Sequence, residues 1–114
     1  MTDRQLLELA AKAAGYELWW GEIHINRPRG VEIEHYCCIA GMSGSWNPLR
    51  DDGDALRLAV KLKIDVMHTN IHQPQVHALA DLKVQEWESS SGDPYAATRR
   101  AIVRAAAAIG ENMK

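Results

Sequence analysis

Apolar residues in this 114-residue chain recur with two different periods, and the period changes along the sequence. In three segments the apolar residues are three and four positions apart, which is typical of one buried face of an α-helix. In the segments between them apolar and polar residues alternate, which is typical of a β-strand with one buried face. The chain is therefore predicted to fold as a mixture of helices and strands.

Each of the three helical segments carries signals for its own ends. Thr2 and Gln5 fit the capping box that starts a helix, and Gly15 can end it in a left-handed conformation. Asp93 and Pro94 provide a cap and a first-turn proline for the last helix. The predicted helices run from Thr2 to Gly15, from Asp51 or Asp52 to about Leu62, and from Asp93 to Gly110.

The apolar stripe of each helix is expected to face the core. In the second helix this stripe contains Ala55, Leu56, Ala59 and Val60, with Lys63 at its edge. In the third helix it contains Tyr95, Thr98, Ile102, Ala105, Ala106 and Ile109. The first and third helices are rich in alanine, so they can pack closely against each other or against a second copy of the chain.

Four strands are predicted, over residues 16–25, 31–40, 64–68 and 76–85. The apolar phase of the first strand changes at Gly21, so we expect a bulge or kink there that keeps the apolar residues on one face. The element order α-β-β-α-β-β-α predicts a single α+β domain spanning residues 1–114. Its two hairpins predict one antiparallel four-stranded sheet covered by helices.

Composition and charge exclude several classes of function. The net charge of −2 does not suit binding to duplex nucleic acid, and no apolar run has the length of a membrane span. Asp3 and Glu8 interrupt the N-terminus, unlike a signal peptide. Cys37 and Cys38 are adjacent, so a disulfide between them is strained and thiols in a reducing compartment are expected. These observations predict a cytoplasmic protein that does not enter a membrane.

Three acidic residues, Asp51, Asp52 and Asp54, lie at the start of the second helix. Carboxylates in this position complement the helix dipole and accept hydrogen bonds from free backbone N–H groups. The alternative is a site for Mg²⁺ or Ca²⁺, but the ligand series of a calcium loop and its closing glutamate are absent. We therefore predict no metal site and no cofactor.

Trp46 and Asn47 precede these acidic residues and allow two interpretations. Trp46 can pack into the core and fix the entry of the second helix, or it can stack on the ring of a ligand whose polar edge Asn47 contacts. Arginines on the third helix and in the first hairpin turn form either a solvated surface or an anion site. The candidate ligand-binding residues are Trp46, Asn47, Arg50, Arg27, Arg29, Arg99 and Arg100.

The remaining polar and aromatic residues give weaker signals. The five histidines, His24, His35, His68, His72 and His77, match no zinc or triad signature, so no catalytic residue is assigned. A small hydrolase that uses Asp52 or Asp54 beside a histidine remains the alternative function. Because large exposed aromatic residues are common at interfaces, Trp19, Trp20 and Trp87 are candidate interface residues.

Three segments of the chain form a recognisable set: LLELAAKAAG at residues 6–15, WNPLRDDGDALRLAVKL at 46–62 and DPYAATRRAIVRAAAAIG at 93–110. Together they resemble a group of small bacteriophage and prophage proteins described as a phage α-β-α sandwich domain family. The resemblance implies a phage-encoded accessory protein in the bacterial host cytoplasm. With no catalytic signature, we expect a self-associating binding protein that sequesters or blocks a host component in an anti-defence role. The ligand is either a host protein or a small signalling nucleotide.

Overall fold

Three helices and five strands make up the part of the chain that the computed structural model describes, residues 1–69, 73–80 and 84–113. The elements in chain order are α1 (Asp3–Ala14), β1 (Leu18–Arg27), β2 (Gly30–Ile39), α2 (Asp52–Leu62), β3 (Asp65–Thr69), β4 (Gln75–Ala80), β5 (Val84–Ser89) and α3 (Pro94–Glu111). The α+β class and the three helices are confirmed. The predicted number of strands and their arrangement in one sheet are wrong.

Local capping explains why the helices begin where the sequence predicted. The Thr2 side chain accepts a hydrogen bond from the Gln5 N–H, and the Gln5 side chain accepts one from the Thr2 N–H at 2.8 Å. Asp51, rather than Asp52, caps α2, and Asp93 caps α3. These contacts involve residues two or three positions apart, so the sequence itself contains the information.

The predicted four-stranded sheet is replaced by two separate antiparallel sheets. β1 pairs with β2 alone, while β3, β4 and β5 form a three-stranded sheet in that order. The predicted strand over 76–85 corresponds to β4 and β5, with residues 81–83 outside the described part. Ala80 and Val84 lie opposite each other in the register, so both face the same side. The period-two alternation therefore continues through the reversal of the chain and conceals it.

The bulge predicted at Gly21 does not form. The register of β1 and β2 is unbroken from Leu18 opposite Ile39 to Arg27 opposite Gly30. Glycine at position 21 instead leaves room for the Tyr36 ring, because an added Cβ atom would lie 2.5 Å from Cζ of that ring. With no bulge, the change of apolar phase places Ile23 on the opposite face from Trp20, where its side chain is about half exposed.

The core is centred on α3. One side of this helix packs against α1 and α2, and another packs against β4 and β5. At Gly110, α3 approaches the backbone of α1 so closely that an added Cβ atom would overlap the carbonyl oxygen of Leu9. Leu58, Val76 and Val103 are among the most deeply buried side chains. No helix in the described ranges is both long and apolar enough to span a bilayer.

Candidate functional site

Trp46, the first candidate ligand-binding residue, lies in the core with only 5% of its surface exposed. Its ring meets the Tyr16 ring edge to face, with 5.9 Å between the centroids. The backbone N–H of Trp46 donates to the Cys37 carbonyl at 2.7 Å, and the Cys37 thiol donates to the Trp46 carbonyl at 3.1 Å. Both ring and backbone are thus held by protein contacts, which corresponds to the packing interpretation.

The three carboxylates after Trp46 all accept hydrogen bonds from protein groups. Asp51 accepts one from the Asp54 N–H, and Asp54 accepts from the Asn47 N–H at 2.9 Å and from Arg57 at 2.8 Å. The hydrogen bond with Asp54 raises the pKa of Arg57. Asp52 accepts from Arg99 at 2.6 Å. Among the described residues, no group of three or more His, Cys, Asp or Glu side chains is arranged to hold a metal ion.

Most of the candidate anion-binding arginines contact carboxylates. Arg99 also donates to the Leu49 carbonyl at 2.9 Å, which ties α3 to the loop before α2. Arg100 lies 3.2 Å from Asp3, and Arg27 lies 3.1 Å from Glu32.

On the next turn of α3, Arg104 forms ion pairs with Glu86 at 2.8 Å and Glu88 at 2.9 Å. The arginines of α3 therefore connect this helix to α1, to the loop before α2 and to β5. Arg29, in the hairpin turn, is exposed.

A cavity of about 550 Å³ brings Trp46, Asn47 and Arg50 together beside the start of α1 and the edge of β2. Its lining does not include Arg27, Arg29, Arg99 or Arg100. The cavity carries charges of both signs. Its ionisable lining residues are Asp3, Arg4, Glu32, Glu34, His35, Tyr36, Cys37 and Arg50.

Cys37, in the wall of this cavity, has a thiol with a raised pKa. Burial raises its pKa from 9.0 to about 11, with a further contribution from Cys38. The unfolded chain should release this proton near pH 9, whereas the folded chain retains it until near pH 11. The protonated Cys37 thiol therefore makes its full contribution to the free energy of unfolding below pH 9. This contribution, up to about 2–3 kcal/mol, is lost as the pH rises from 9 toward 11.

Denaturant unfolding between about pH 8 and pH 11 tests this prediction, with Cys37→Ala as the control. The free energy of unfolding of the wild type should fall more steeply with pH than that of the variant. Equal slopes for the two proteins would contradict a buried thiol with a raised pKa.

The candidate interface tryptophans lie in different environments. Trp20 is half-buried beneath the guanidinium of Arg4, at 4.4 Å from the ring centroid. Trp19 points to the other face of β1, where it is about half exposed and meets Tyr36 edge to face. Trp87 is also about half exposed, on β5, opposite His77 of β4 in the register. Trp19 and Trp87 are thus available at the surface.

A groove of about 790 Å³ between α2 and α3 was not predicted from the sequence. Leu56, Val60 and Tyr95 were expected in the core but are 64%, 70% and 70% exposed, respectively. Ala55 and Ala59 are buried beneath them. Leu56 and Val60 are four residues apart on α2, so they form one stripe on the outer side of the groove.

The sequence contained a signal for this groove. The apolar residues of α2 include Leu56 and Val60 as well as Leu58 and Leu62. Together they form a band around the helix that is wider than one packing face can cover. Such a band indicates that part of the helix surface remains apolar and exposed.

Comparisons with models of known protein families, with curated proteins and with solved structures found no match to this chain. The resemblance to the phage sandwich family therefore stays a prediction, based on the three sequence segments.

Proposed function

We propose that this chain is a phage-encoded accessory protein that binds a host protein and blocks it, and that it acts without catalysis. The observation that supports this most directly is the groove between α2 and α3, where Leu56, Val60 and Tyr95 are each about two-thirds exposed. Apolar side chains that are this exposed and contiguous are typical of surfaces that bind another protein. The phage origin and the anti-defence role are supported by the sequence resemblance alone.

The charged residues favour a protein over a small nucleotide as the ligand. Binding a phosphate needs arginines whose donors are available, whereas Arg27, Arg99 and Arg100 already contact carboxylates. The groove, in contrast, is lined mainly by apolar groups and has Asp52 and Asp65 balanced by Lys63 and Arg99. A mainly apolar surface that also carries charges of both signs suits a protein partner.

The carboxylates favour binding over hydrolysis. A hydrolase of the kind considered above needs Asp52 or Asp54 beside a histidine and a water molecule. The hydrogen bonds of both carboxylates go instead to arginines and to a backbone amide. We therefore propose that these residues fix the start of α2.

The proposal predicts that the double variant Leu56→Glu, Val60→Glu loses its partner while remaining folded. Both side chains are exposed, so two added charges should change stability little but should oppose apolar contact across the groove. Wild type and variant are used as bait in a lysate of the bacterial host, with cross-linking and mass spectrometry as the readout. We expect a protein that wild type retains and the groove variant does not.

The matched control is Ile23→Glu, Met42→Glu, which adds the same charge at exposed apolar residues outside the groove. This variant should retain the partner. A protein captured equally by all three baits would contradict the assignment to the groove. Native mass spectrometry before and after heating gives an independent result, because release of a bound nucleotide from wild type would contradict a protein ligand.

Self-association is tested separately by sedimentation velocity over a dilution series. We expect the sedimentation coefficient of wild type to fall on dilution as copies dissociate. A strict monomer at the highest concentration would contradict self-association, but it would leave the binding of a host protein untouched.

A further inference from the structure

The outer edge of β2 has no neighbouring strand in the described part of the chain. At Cys37 this edge already accepts a backbone hydrogen bond from Trp46, at 2.7 Å. In an antiparallel pair, every second residue directs its N–H and C=O groups away from the partner strand. His35 and Ile33 therefore present their backbone groups on the same edge, where no other backbone group of the described residues pairs with them.

The cavity of about 550 Å³ lies along this free edge. Residues Glu32, Glu34, His35 and Tyr36 of β2 form one wall, and the start of α1 and the Trp46 loop form the other. The space beside the edge thus has a wall on each side and is open to solvent, as a slot for one added strand must be. Trp46 occupies the position next to Cys37 and marks one end of the slot.

Side chains along this edge alternate in character. Val31 and Ile33 point to one face and are about half exposed or more, while Glu32 and Glu34 point to the other. A strand added at the edge would place its alternate side chains beside these two sets. The apolar set would be extended by apolar residues. In the acidic set, Glu32 already pairs with Arg27 at 3.1 Å, so Glu34 is the carboxylate that lysine or arginine would complement.

Pairing of two copies of β2 around Ile33 is disfavoured. If two copies paired antiparallel around Ile33, Glu32 of one would lie opposite Glu34 of the other, and like charges directly opposite each other destabilise a pair. Charged residues on an edge strand are a common means of preventing such pairing between copies of a protein. A segment with basic side chains at this position therefore suits the edge better than a second copy of β2.

We propose that the free edge of β2 binds an extended segment of a partner protein in which basic and apolar residues alternate. The segment adds a third strand to the hairpin, with backbone hydrogen bonds to Ile33 and His35 and a basic side chain beside Glu34. This site is separate from the groove between α2 and α3, so the inference goes beyond the proposed function.

The arginines of the cavity limit where the basic residues of the segment can lie. Arg4 is directed toward Glu8 at 3.3 Å and stacks over Trp20. Arg50 lies at the end near Trp46. The basic side chains of the segment are thus confined to the part beside Glu34.

The first test uses a short fluorescent peptide in which lysine and valine alternate, with fluorescence anisotropy as the readout. Glu34→Lys should weaken binding of this peptide at least about tenfold and should strengthen binding of the matching glutamate–valine peptide. The control Glu17→Lys makes the same charge change outside the cavity and should leave both affinities unchanged. Since Glu34 is exposed, loss of folding is not expected to confuse the result.

The second test addresses the backbone without changing the protein. Two versions of the lysine–valine peptide are N-methylated, each at one of the two alternating sets of amides. Only one set can donate to β2, so one version should bind at least about tenfold more weakly and the other should bind like the unmodified peptide. The variant Leu56→Glu, Val60→Glu should bind the unmodified peptide as wild type does.

Several results would overturn the proposal. They are no binding at about 1 mM peptide, equal binding of a scrambled peptide of the same composition, or equal affinities for the two methylated versions. Loss of peptide binding in the groove variant would also overturn it, because it would place the peptide between α2 and α3. That last result would leave the proposed function standing.

Discussion

Replacing Gly110 by alanine is expected to lower the free energy of unfolding by about 3 kcal/mol, which is the opposite of the usual effect of this substitution in a helix. Alanine normally stabilises a helix relative to glycine by roughly 0.5–1 kcal/mol. At Gly110 the added Cβ atom would overlap the Leu9 carbonyl oxygen and lie 2.9 Å from the carbonyl carbon. Because these atoms belong to the backbone of α1, a side-chain rotation cannot relieve the overlap and the two helices must separate.

Thermal unfolding measures this effect, with an expected fall in melting temperature of roughly 10–15 °C for a domain of this size. Gly53→Ala is a matched control, because Gly53 is also helical but its added Cβ atom would meet mainly the end of the flexible Arg57 side chain, at 3.1 Å. That variant should be unchanged or slightly more stable. Equal behaviour of the two variants would contradict the close approach of α1 and α3.

This contact illustrates what the sequence could and could not reveal. Both ends of α1 and the start of α3 were predicted because their caps depend on neighbouring residues. The predicted end of α3 at Gly110 is wrong, because the helix continues to Glu111 and its C-cap is Asn112. The alanine content of these helices also indicated that close packing was possible. However, the close approach of the two helix backbones at Gly110 and Leu9 involves residues about one hundred positions apart. No local pattern contains that information.

The strands show a different limit. Alternation predicted which residues of β4 face the core, yet the same alternation continues from Ala80 to Val84 through the reversal of the chain. A pattern of period two reports the face of a residue but not its strand. For that reason one strand was predicted where two exist, and one sheet where the structure has two.

At the candidate site, the sequence identified the segment but not the contacts within it. The helix start after Trp46 was predicted, and Asp51 was one of the two proposed caps. The partners of the arginines were not predicted, because Arg99 contacts Asp52 and Arg100 contacts Asp3, both distant in the sequence. In the structure these pairs connect α3 to the start of α2 and to the start of α1, while an anion site at these arginines stays a prediction.

The second large effect is expected at Trp46, whose replacement by alanine should lower the free energy of unfolding by about 3–5 kcal/mol. The substitution removes a buried indole and its edge-to-face contact with Tyr16, and it leaves a cavity beside Cys37. Denaturant unfolding measures the change. Trp19→Ala is a suitable control, since it removes the same side chain from a position that is about half exposed, and it should cost much less.

Trp46→Phe separates the two interpretations of this residue. Phenylalanine keeps an apolar ring against Tyr16, and the hydrogen bonds of Trp46 with Cys37 use only its backbone, so most of the stability should return. If Trp46 packs in the core and fixes the start of α2, we therefore expect a graded loss in the free energy of unfolding, small for phenylalanine and large for alanine. If alanine left stability unchanged, Trp46 would not be a core residue, and its role as a ligand-stacking side chain would become the better explanation.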